Sequence, residues 1–173
     1  MVLETCAVFN ENRVVKRDNR ESDMPAAINT NAFKNQPIVL YDGVCGLCNG
    51  LVQFLLKRDT NDVLRFASLQ SEFAHSLLPT HGLDPNDLNT VYVLSDYGES
   101  TESLLSRSDA ILNLLRLLGG FWKVASFASV LPRSLRDAVY NIVARNRYRV
   151  FGKYESCMLP ELRHRQKFLD ANC

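Results

Sequence analysis

Two cysteines, Cys45 and Cys48, lie between a short apolar run and a stretch with helical periodicity. Residues 38–41 have the composition of a buried strand, and residues 46–58 place apolar side chains one turn apart. A Cys-x-x-Cys at a strand-to-helix junction puts the first sulfur at the helix N-terminus and the second one turn inside. Unpaired N–H groups and the helix dipole favour a thiolate at the first position, and the thiolate is the species that attacks disulfides. The motif therefore predicts a redox-active dithiol, with an accessible Cys45 within bonding distance of Cys48.

The length and composition of the chain favour a single globular domain. Its 173 residues are 46% hydrophobic and 23% charged, and the net charge is +1, which is ordinary for such a domain. A near-neutral chain without a recognised motif is not expected to bind nucleic acid. The longest apolar stretches, residues 110–118 and 124–131, are too short or too interrupted to cross a bilayer. The N-terminus lacks the apolar core of a secretory signal, so a reducing compartment is expected, by default the cytoplasm, with an organelle as the open alternative.

The remaining cysteines do not form a second motif. The chain has five cysteines, an odd number that argues against a structural disulfide framework, and Cys6, Cys157 and Cys173 are scattered. Zinc would need two ligands besides the Cys-x-x-Cys pair, and Cys157 with His164 is the only candidate. No metal is therefore expected. A non-catalytic metal-binding or redox-sensing module is the alternative to an enzyme, and two ordinary half-buried cysteines are the third interpretation.

The periodicity along the chain predicts an α/β order of elements. Residues 1–36 are polar and charged, which predicts a flexible N-terminal extension. Residues 37–120 form a predicted core of order β-α-β-α-β-β-α, and this thioredoxin-like order predicts about four strands flanked by helices. The predicted strands are 38–41, 63–67, 90–94 and 100–105, and the predicted helices are 46–58, 71–78 and 110–118. Residues 121–173 are predicted to form a helical extension packed on the core, with helices at 122–130 and 133–147 and a last one starting at Pro160.

Asp42 follows the first predicted strand directly, three residues before Cys45. A carboxylate does not activate a neighbouring thiol by proximity alone, because its negative charge disfavours a thiolate. Asp42 is therefore expected either to cap the loop by accepting backbone N–H groups or to receive and relay the proton of Cys48. Gly43 and Gly46 are expected to allow a turn or a close approach of backbone.

The chain resembles the thiol-disulfide oxidoreductase DCC family, which is named for an Asp-x-x-Cys-x-x-Cys sequence. Asp42, Cys45 and Cys48 match that signature, and the predicted order of elements agrees with it. The resemblance extends from about residue 37 to about residue 169. It includes Arg107-Ser108-Asp109-Ala110 and the distal Tyr148-Arg149-Val150-Phe151-Gly152-Lys153 followed by Cys157. The resemblance implies a thioredoxin-like fold and a predicted protein-disulfide oxidoreductase activity. The distal cysteine is interpreted as a packed structural residue or as a third redox thiol.

The expected reaction is disulfide exchange on a disulfide-bearing protein or a small thiol. Cys45 attacks and forms a mixed disulfide, and Cys48 then attacks Cys45 and releases the reduced product. No tightly bound cofactor is expected; glutathione or a thioredoxin-type reductant is the expected co-substrate. Ser108 and Asp109 are predicted to cap the third helix. A similar Ser-Asp pair grips the γ-glutamyl end of glutathione in glutaredoxin-like folds, so these two residues are also the candidate glutathione site.

The sequence lacks one feature of better-known thioredoxin-like enzymes. Those enzymes place a cis-proline before the third strand, where it faces the cysteines and helps to hold an extended substrate backbone. The matching region here reads Asn89-Thr90-Val91-Tyr92, and Pro85 lies several residues too early. Substrate docking is therefore expected to differ from that of thioredoxin.

Overall fold

The computed structural model describes residues 33–155 and 161–169. Most of the predicted N-terminal extension lies outside the described residues, as do Cys6, Cys157 and Cys173. The end of that extension is described, and Phe33 packs against buried side chains beside the sheet. The packed body therefore begins before residue 36, earlier than the sequence predicts.

Four short strands form one mixed sheet in the described part of the chain. They are β1 (Ile38–Tyr41), β2 (Arg65–Ser68), β3 (Tyr92–Ser95) and β4 (Ser103–Ser106), in the spatial order β2-β1-β3-β4. β1 runs parallel to β2 and antiparallel to β3, and β3 runs antiparallel to β4. All four residues of β1 are buried, which explains why this strand is a continuous apolar run and not an alternating pattern.

Helices flank the sheet and form most of the C-terminal part. The α-helices are α1 (Gly46–Arg58), α2 (Glu72–Leu77), α3 (Arg107–Leu118), α4 (Trp122–Ala125) and α5 (Arg133–Phe151). Shorter 3-10 segments occupy Leu78–His81, Ser126–Val130 and Leu162–Lys167. None of the described helices combines the length and the apolar composition that crossing a membrane requires.

Strand β1 separates two clusters of buried side chains. Val39 and Tyr41 belong to the cluster that includes residues of α1 and α3, and this cluster also contains both cysteines of the motif. Ile38 and Leu40 belong to the cluster that includes α2. Successive side chains of a strand point to opposite faces, so β1 supplies one wall of each cluster. The dithiol thus lies on the helix-covered side formed by α1 and α3.

The structure confirms the predicted thioredoxin-like α/β class, and β1 and α1 have the predicted bounds. The start of α3 differs from the prediction. It begins at Arg107, whose left-handed φ of 54° turns the chain directly from β4 into the helix, and Ser106 occupies the N-cap position without a side-chain cap. Ser108 and Asp109 lie inside the first turn, so the prediction that they cap this helix is wrong.

The C-terminal part of the chain packs over α1 and α3 through α5. This helix continues to Phe151, four residues beyond its predicted end. The last described residues return to the sheet: Phe168 pairs with Phe66 in an isolated parallel bridge, and Leu169 N–H donates to Phe66 O (2.9 Å). Pro160, the predicted start of the final helix, lies outside the described residues.

A buried ion pair ties this C-terminal segment to the end of α1. The Asp59 carboxylate accepts hydrogen bonds from Val63 N (3.0 Å) and Leu64 N (3.1 Å), and from Lys167 Nζ (2.8 Å). Lys167 also pairs with Asp62 (2.8 Å). Burial alone would lower the pKa of Lys167, but the hydrogen bonds to Asp59 and Asp62 raise it overall. Lys167 therefore supplies the charge that compensates a buried carboxylate.

We predict that Lys167→Met destabilises the protein by about 3 kcal/mol, because it leaves Asp59 buried without its counter-ion. The free energy of unfolding in urea measures the loss. The contribution of Lys167 is fully present at pH values below 10.5, the ordinary lysine pKa, and is lost as the pH rises through the higher value of the folded state.

The control is Arg163→Met, which breaks the exposed pair of Arg163 with Glu161 (2.7 Å) and should cost less than about 1 kcal/mol. Equal losses in the two variants would show that the Lys167 pair does not anchor the C-terminal segment.

Candidate active site

The Cys-x-x-Cys loop joins β1 to α1, as the sequence predicts. Cys45 is the N-cap residue of α1, with an extended backbone (φ −86°, ψ 124°) and no side-chain cap, and Cys48 lies in the first turn. The loop is braced by its own backbone: Cys45 N–H donates to Asp42 O (3.2 Å). The side-chain amide of Asn49 donates to Gly43 O (2.8 Å). These bonds hold the first cysteine at the end of the helix where N–H groups lack intrahelical acceptors.

Both cysteines are free thiols, and both are buried. Cys45 is 0% exposed and Cys48 is 5% exposed. A hydrogen bond with Cys45 and the charge of Cys45 both act on the Cys48 thiol, so the two cysteines are close neighbours. The expectation that Cys45 is accessible is wrong for this structure, because a segment from the other end of the chain covers it.

That covering segment is residues 151–154, which follow directly from α5. Cys45 and Lys153 form an antiparallel β-bridge. On either side of this bridge, Gly46 N–H donates to Gly152 O (3.2 Å) and Tyr154 N–H donates to Val44 O (2.8 Å). The covering segment therefore pairs with the dithiol loop as a short strand and shields its first thiol from solvent.

The close approach of the covering segment explains the glycine that follows the first cysteine. A Cβ on Gly46 would lie 2.1 Å from Phe151 O and 3.4 Å from Gly152 O. Any side chain at this position would force the covering segment away from the loop. The expectation that Gly46 permits a close backbone approach is confirmed, and the partner is the end of α5.

The environment of Cys48 favours its protonated form. Burial, the charge of a Cys45 thiolate and the hydrogen bond with Cys45 raise the pKa of the Cys48 thiol from 9.0 to about 12. A backbone hydrogen bond involving Asp42 and the positive charge of Arg147 act in the opposite direction. Cys48 therefore keeps its proton at neutral pH, which suits a thiol that reacts second.

Asp42 is a buried carboxylate with four hydrogen-bond donors around it. Its Oδ1 accepts from Val44 N (3.2 Å) and from Gln70 Nε2 (2.8 Å), and its Oδ2 accepts from Arg147 Nη2 (3.1 Å) and from the Tyr148 hydroxyl. The bond from Val44 N confirms the expected capping contact. The alternative, transfer of the Cys48 proton through this carboxylate, stays a prediction.

Arg147, Tyr148 and Gln70 are site residues that sequence reasoning missed. Burial raises the pKa of the Tyr148 phenol, and so does its hydrogen bond to Asp42. The family resemblance includes the segment beginning at Tyr148 but assigns that residue no role in the site. Arg147 is a charged residue on a helix rich in exposed arginines, so nothing in its sequence neighbourhood distinguishes it from a solvated one. Pairing with a residue 105 positions away is visible only once the chain is folded.

Ser108 and Asp109 face α5 in the structure. The Ser108 hydroxyl donates to Asp137, and this hydrogen bond is the main reason for a lowered pKa of the Asp137 carboxyl. Asp109 forms ion pairs with Arg136 (2.8 Å) and Arg133 (3.1 Å). The groups predicted to grip glutathione therefore already have partners within the chain. Glutathione binding at this position stays a prediction, and it requires these ion pairs to open.

The backbone groups just before β3 are also hydrogen-bonded to other residues of the chain. No cis peptide bond occurs among the described residues, in line with the missing proline. Val91 N–H donates to the Tyr140 hydroxyl (3.0 Å), and Val91 O accepts from Arg107 N (3.3 Å). A substrate chain therefore finds neither backbone group of Val91 unpaired in this arrangement.

The described residues contain no group of three or more potential metal ligands. Cys157 lies outside the described residues, so the candidate zinc set of Cys157 and His164 with the motif cysteines is not tested. The metal-binding alternative therefore stays a prediction from the sequence.

A reduced dithiol at the start of the first helix of a thioredoxin-like sheet defines the class of thiol-disulfide redox proteins. The sequence model of the DCC1-like thiol-disulfide oxidoreductase family matches residues 39–153, more than half of the chain. The chain therefore belongs to this family.

Two curated relatives extend over most of the same region. The uncharacterized protein YuxK of Bacillus subtilis (strain 168) is 41% identical over 132 residues, which cover 76% of this chain and 93% of the relative. The DCC family protein At1g52590, chloroplastic, of Arabidopsis thaliana is 39% identical over 125 residues, 72% of this chain and 70% of the relative. No solved structure matches the chain.

The burial of Cys48 generates a prediction for the titration of the dithiol. In reduced protein carrying Cys6→Ser, Cys157→Ser and Cys173→Ser, the Cys48 thiol should remain protonated below roughly pH 10. The folded state prefers a protonated Cys48, so this thiol favours folding below its unfolded pKa of 9.0, and the contribution is lost as the pH rises toward about 12. Thiolate absorbance in the ultraviolet measures the titration.

Adding Cys45→Ser to that background removes the neighbouring thiolate charge, so the pKa of Cys48 should fall below about 12. Two thiolates already present at pH 9 would contradict the environment described for Cys48.

Proposed function

We propose that this protein is a protein-disulfide reductase that uses Cys45 as the attacking thiolate and Cys48 as the resolving thiol. The observation that carries the proposal is the pair of free, neighbouring cysteines at the N-terminus of α1. Membership of a thiol-disulfide oxidoreductase family supports the chemistry. The position of Cys45 at the helix start supports its role as nucleophile, because the N–H groups there stabilise negative charge on sulfur.

The reaction consists of two exchange steps. The Cys45 thiolate attacks one sulfur of the substrate disulfide, forms a mixed disulfide, and releases the other sulfur as a thiolate that takes up a proton from water. Cys48 then loses its proton as its sulfur attacks Cys45, which closes the Cys45–Cys48 disulfide and releases the second substrate thiol. The substrate disulfide gains two electrons and the enzyme dithiol loses two. A thiol reductant, glutathione or a thioredoxin-type protein, restores the dithiol and completes the cycle.

The covering segment must leave the dithiol loop before a protein disulfide can reach Cys45. Two backbone hydrogen bonds hold it, those of Gly46 N–H and Tyr154 N–H, and together they form the bridge between Cys45 and Lys153. Opening such a short backbone pairing is a local event that does not unfold the core. The closed arrangement keeps the nucleophile away from oxidants, and the open arrangement is the one that reacts.

Substitution of the two cysteines separates their roles. Cys45→Ser should abolish disulfide reduction, measured with a protein disulfide and a thiol reductant. Cys48→Ser should accumulate a mixed disulfide between Cys45 and its substrate, because the resolving thiol is missing. Mass spectrometry of the trapped species identifies the bonded cysteine.

Cys6→Ser, outside the motif, is the matched control and should keep its activity. Full activity in Cys45→Ser would exclude the proposed nucleophile, and trapped adducts on Cys48 in a Cys45→Ser protein would reverse the two roles.

A second prediction concerns the accessibility of Cys45 and follows from its contact with the covering segment. Gly46→Ala should raise the rate at which Cys45 is alkylated by roughly tenfold or more, because its Cβ cannot coexist with Phe151 O at 2.1 Å. A tenfold change corresponds to weakening the closed arrangement by about 1.4 kcal/mol. Iodoacetamide labelling followed by peptide mass spectrometry measures the rate.

Gly50→Ala is the control within the same helix, since a Cβ at Gly50 meets nothing within 4 Å. It should leave the labelling rate of Cys45 unchanged while slightly stabilising α1. Identical labelling rates in the two variants would show that residues 151–154 do not control access to the nucleophile.

A further inference from the structure

A cavity of about 220 Å³ lies beside the second cysteine of the motif. Apolar side chains of α1, α3 and α5 form most of its wall, among them Leu47, Leu51, Ile111 and Val143. Cys48 lies in the wall, and Cys45 does not. A dry apolar cavity of roughly 150 Å³ accommodates benzene in a protein interior, so this cavity has room for a substituted ring.

The cavity wall also contains a buried arginine with one unsatisfied donor. Arg147 is 3% exposed, and its Nη2 donates to Asp42 Oδ2 (3.1 Å), Leu88 O (3.0 Å) and the Tyr148 hydroxyl (2.8 Å). Its Nε has no hydrogen-bond partner among the described residues. Buried N–H groups are almost always paired, so an unpaired Nε in the wall of a cavity indicates that something else accepts from it.

A second donor lies in the same wall. The Tyr140 hydroxyl accepts from Val91 N (3.0 Å), so its own hydrogen remains to be donated. Tyr140 and Arg147 lie two turns apart on α5, which places them on the same side of that helix. The wall therefore offers two hydrogen-bond donors in otherwise apolar surroundings.

The charge balance decides what kind of acceptor fits. The positive charge of Arg147 is already compensated by the Asp42 carboxylate at 3.1 Å. An anionic ligand would add a second negative charge to a buried region with no further cation in the cavity wall, and uncompensated charges are unfavourable there. A neutral acceptor such as a carbonyl oxygen satisfies the donors without this cost.

The geometry points to a ligand site in this cavity for a small, neutral, largely apolar carbonyl compound that accepts a hydrogen bond from Arg147 Nε, with the Tyr140 hydroxyl as second donor. The bound molecule would lie against Cys48 and contact both α1 and α5. The site does not depend on the proposed reductase activity, because the reduced protein binds the molecule without any exchange of electrons.

Three probes of similar size test the chemistry of the site on the reduced full-length protein. Acetophenone carries an aromatic ring and a neutral carbonyl, ethylbenzene lacks the acceptor, and benzoate carries a negative charge. Acetophenone should bind saturably and roughly tenfold more tightly than either of the other two, because a site with buried donors discriminates against ligands that leave them unpaired. Ligand-observed NMR titration measures the three affinities.

Three variants locate the binding. Ala144→Leu fills the cavity and should abolish acetophenone binding, whereas Ala138→Leu, on an exposed position of the same helix, should not change it. Tyr140→Phe keeps the ring and removes one donor, so it should reduce the preference for acetophenone over ethylbenzene by severalfold. Circular dichroism verifies that each variant is folded. If Ala144→Leu does not fold, the preference of Tyr140→Phe for acetophenone over ethylbenzene, compared with that of the unsubstituted protein, decides whether the site binds as proposed.

Several results would overturn the proposal. Equal binding of ethylbenzene and acetophenone would show that the cavity does not require a hydrogen-bond acceptor in its ligand. Tighter binding of benzoate would show that the ligand is not neutral. A neighbouring cavity of about 310 Å³ shares Ile111 and Tyr140 with this one but is not lined by Ala144. Undiminished acetophenone binding by a folded Ala144→Leu protein would therefore place the ligand there. Absence of saturable binding at roughly millimolar acetophenone would exclude the site altogether.

Discussion

The buried ion pair between Asp42 and Arg147 joins the two parts of the chain that form the site. Asp42 begins the loop between β1 and α1, and Arg147 lies near the end of α5. The two charged groups are 3.1 Å apart and almost fully buried. A buried carboxylate is stable only when its lone pairs are satisfied, and here α5 supplies two of the four donors. The last turn of α5 is thereby held over the dithiol loop, and residues 151–154 reach Cys45 because they follow that turn directly.

This arrangement gives two neighbouring cysteines different surroundings. Cys45 lies at the helix terminus, where the helix dipole favours negative charge, beside residues 151–154, whose backbone pairs with the dithiol loop. Cys48 lies one turn inside, against the cavity wall, where burial raises the pKa of its thiol to about 12. In the reaction that we propose, a nucleophile that can be uncovered lies next to a thiol that keeps its proton, which gives the order of attack that disulfide exchange requires. The difference arises mainly from position along α1, and the positive charge of Arg147 only partly opposes the effect of burial on Cys48.

Local signals in the sequence predicted the elements that position the dithiol. β1 is a buried apolar run and α1 has clear periodicity with basic residues at its end, so both have their predicted bounds. The errors concern contacts between distant segments. The bridge between Cys45 and Lys153 joins residues far apart in sequence, and neither residue type indicates such a pairing. Ser108 looked like a helix cap because Ser and Asp favour that position, but the left-handed φ of Arg107 starts the helix earlier.

The hydrogen bonds that the site makes within the chain also affect which kind of substrate can reach Cys45. An extended peptide needs free backbone groups beside the thiols, yet Val91 uses its N–H on Tyr140 and its carbonyl on Arg107, and the loop around Cys45 pairs with residues 151–154. Two of these obstacles, Tyr140 and the covering segment, belong to α5 and its continuation, whereas Arg107 belongs to α3. A displacement of the end of α5 would free the dithiol loop, whereas freeing the N–H of Val91 requires Tyr140, three turns earlier, to move as well. Access to Cys45 and docking of an extended chain are therefore separable steps, and a small disulfide requires only the first of them.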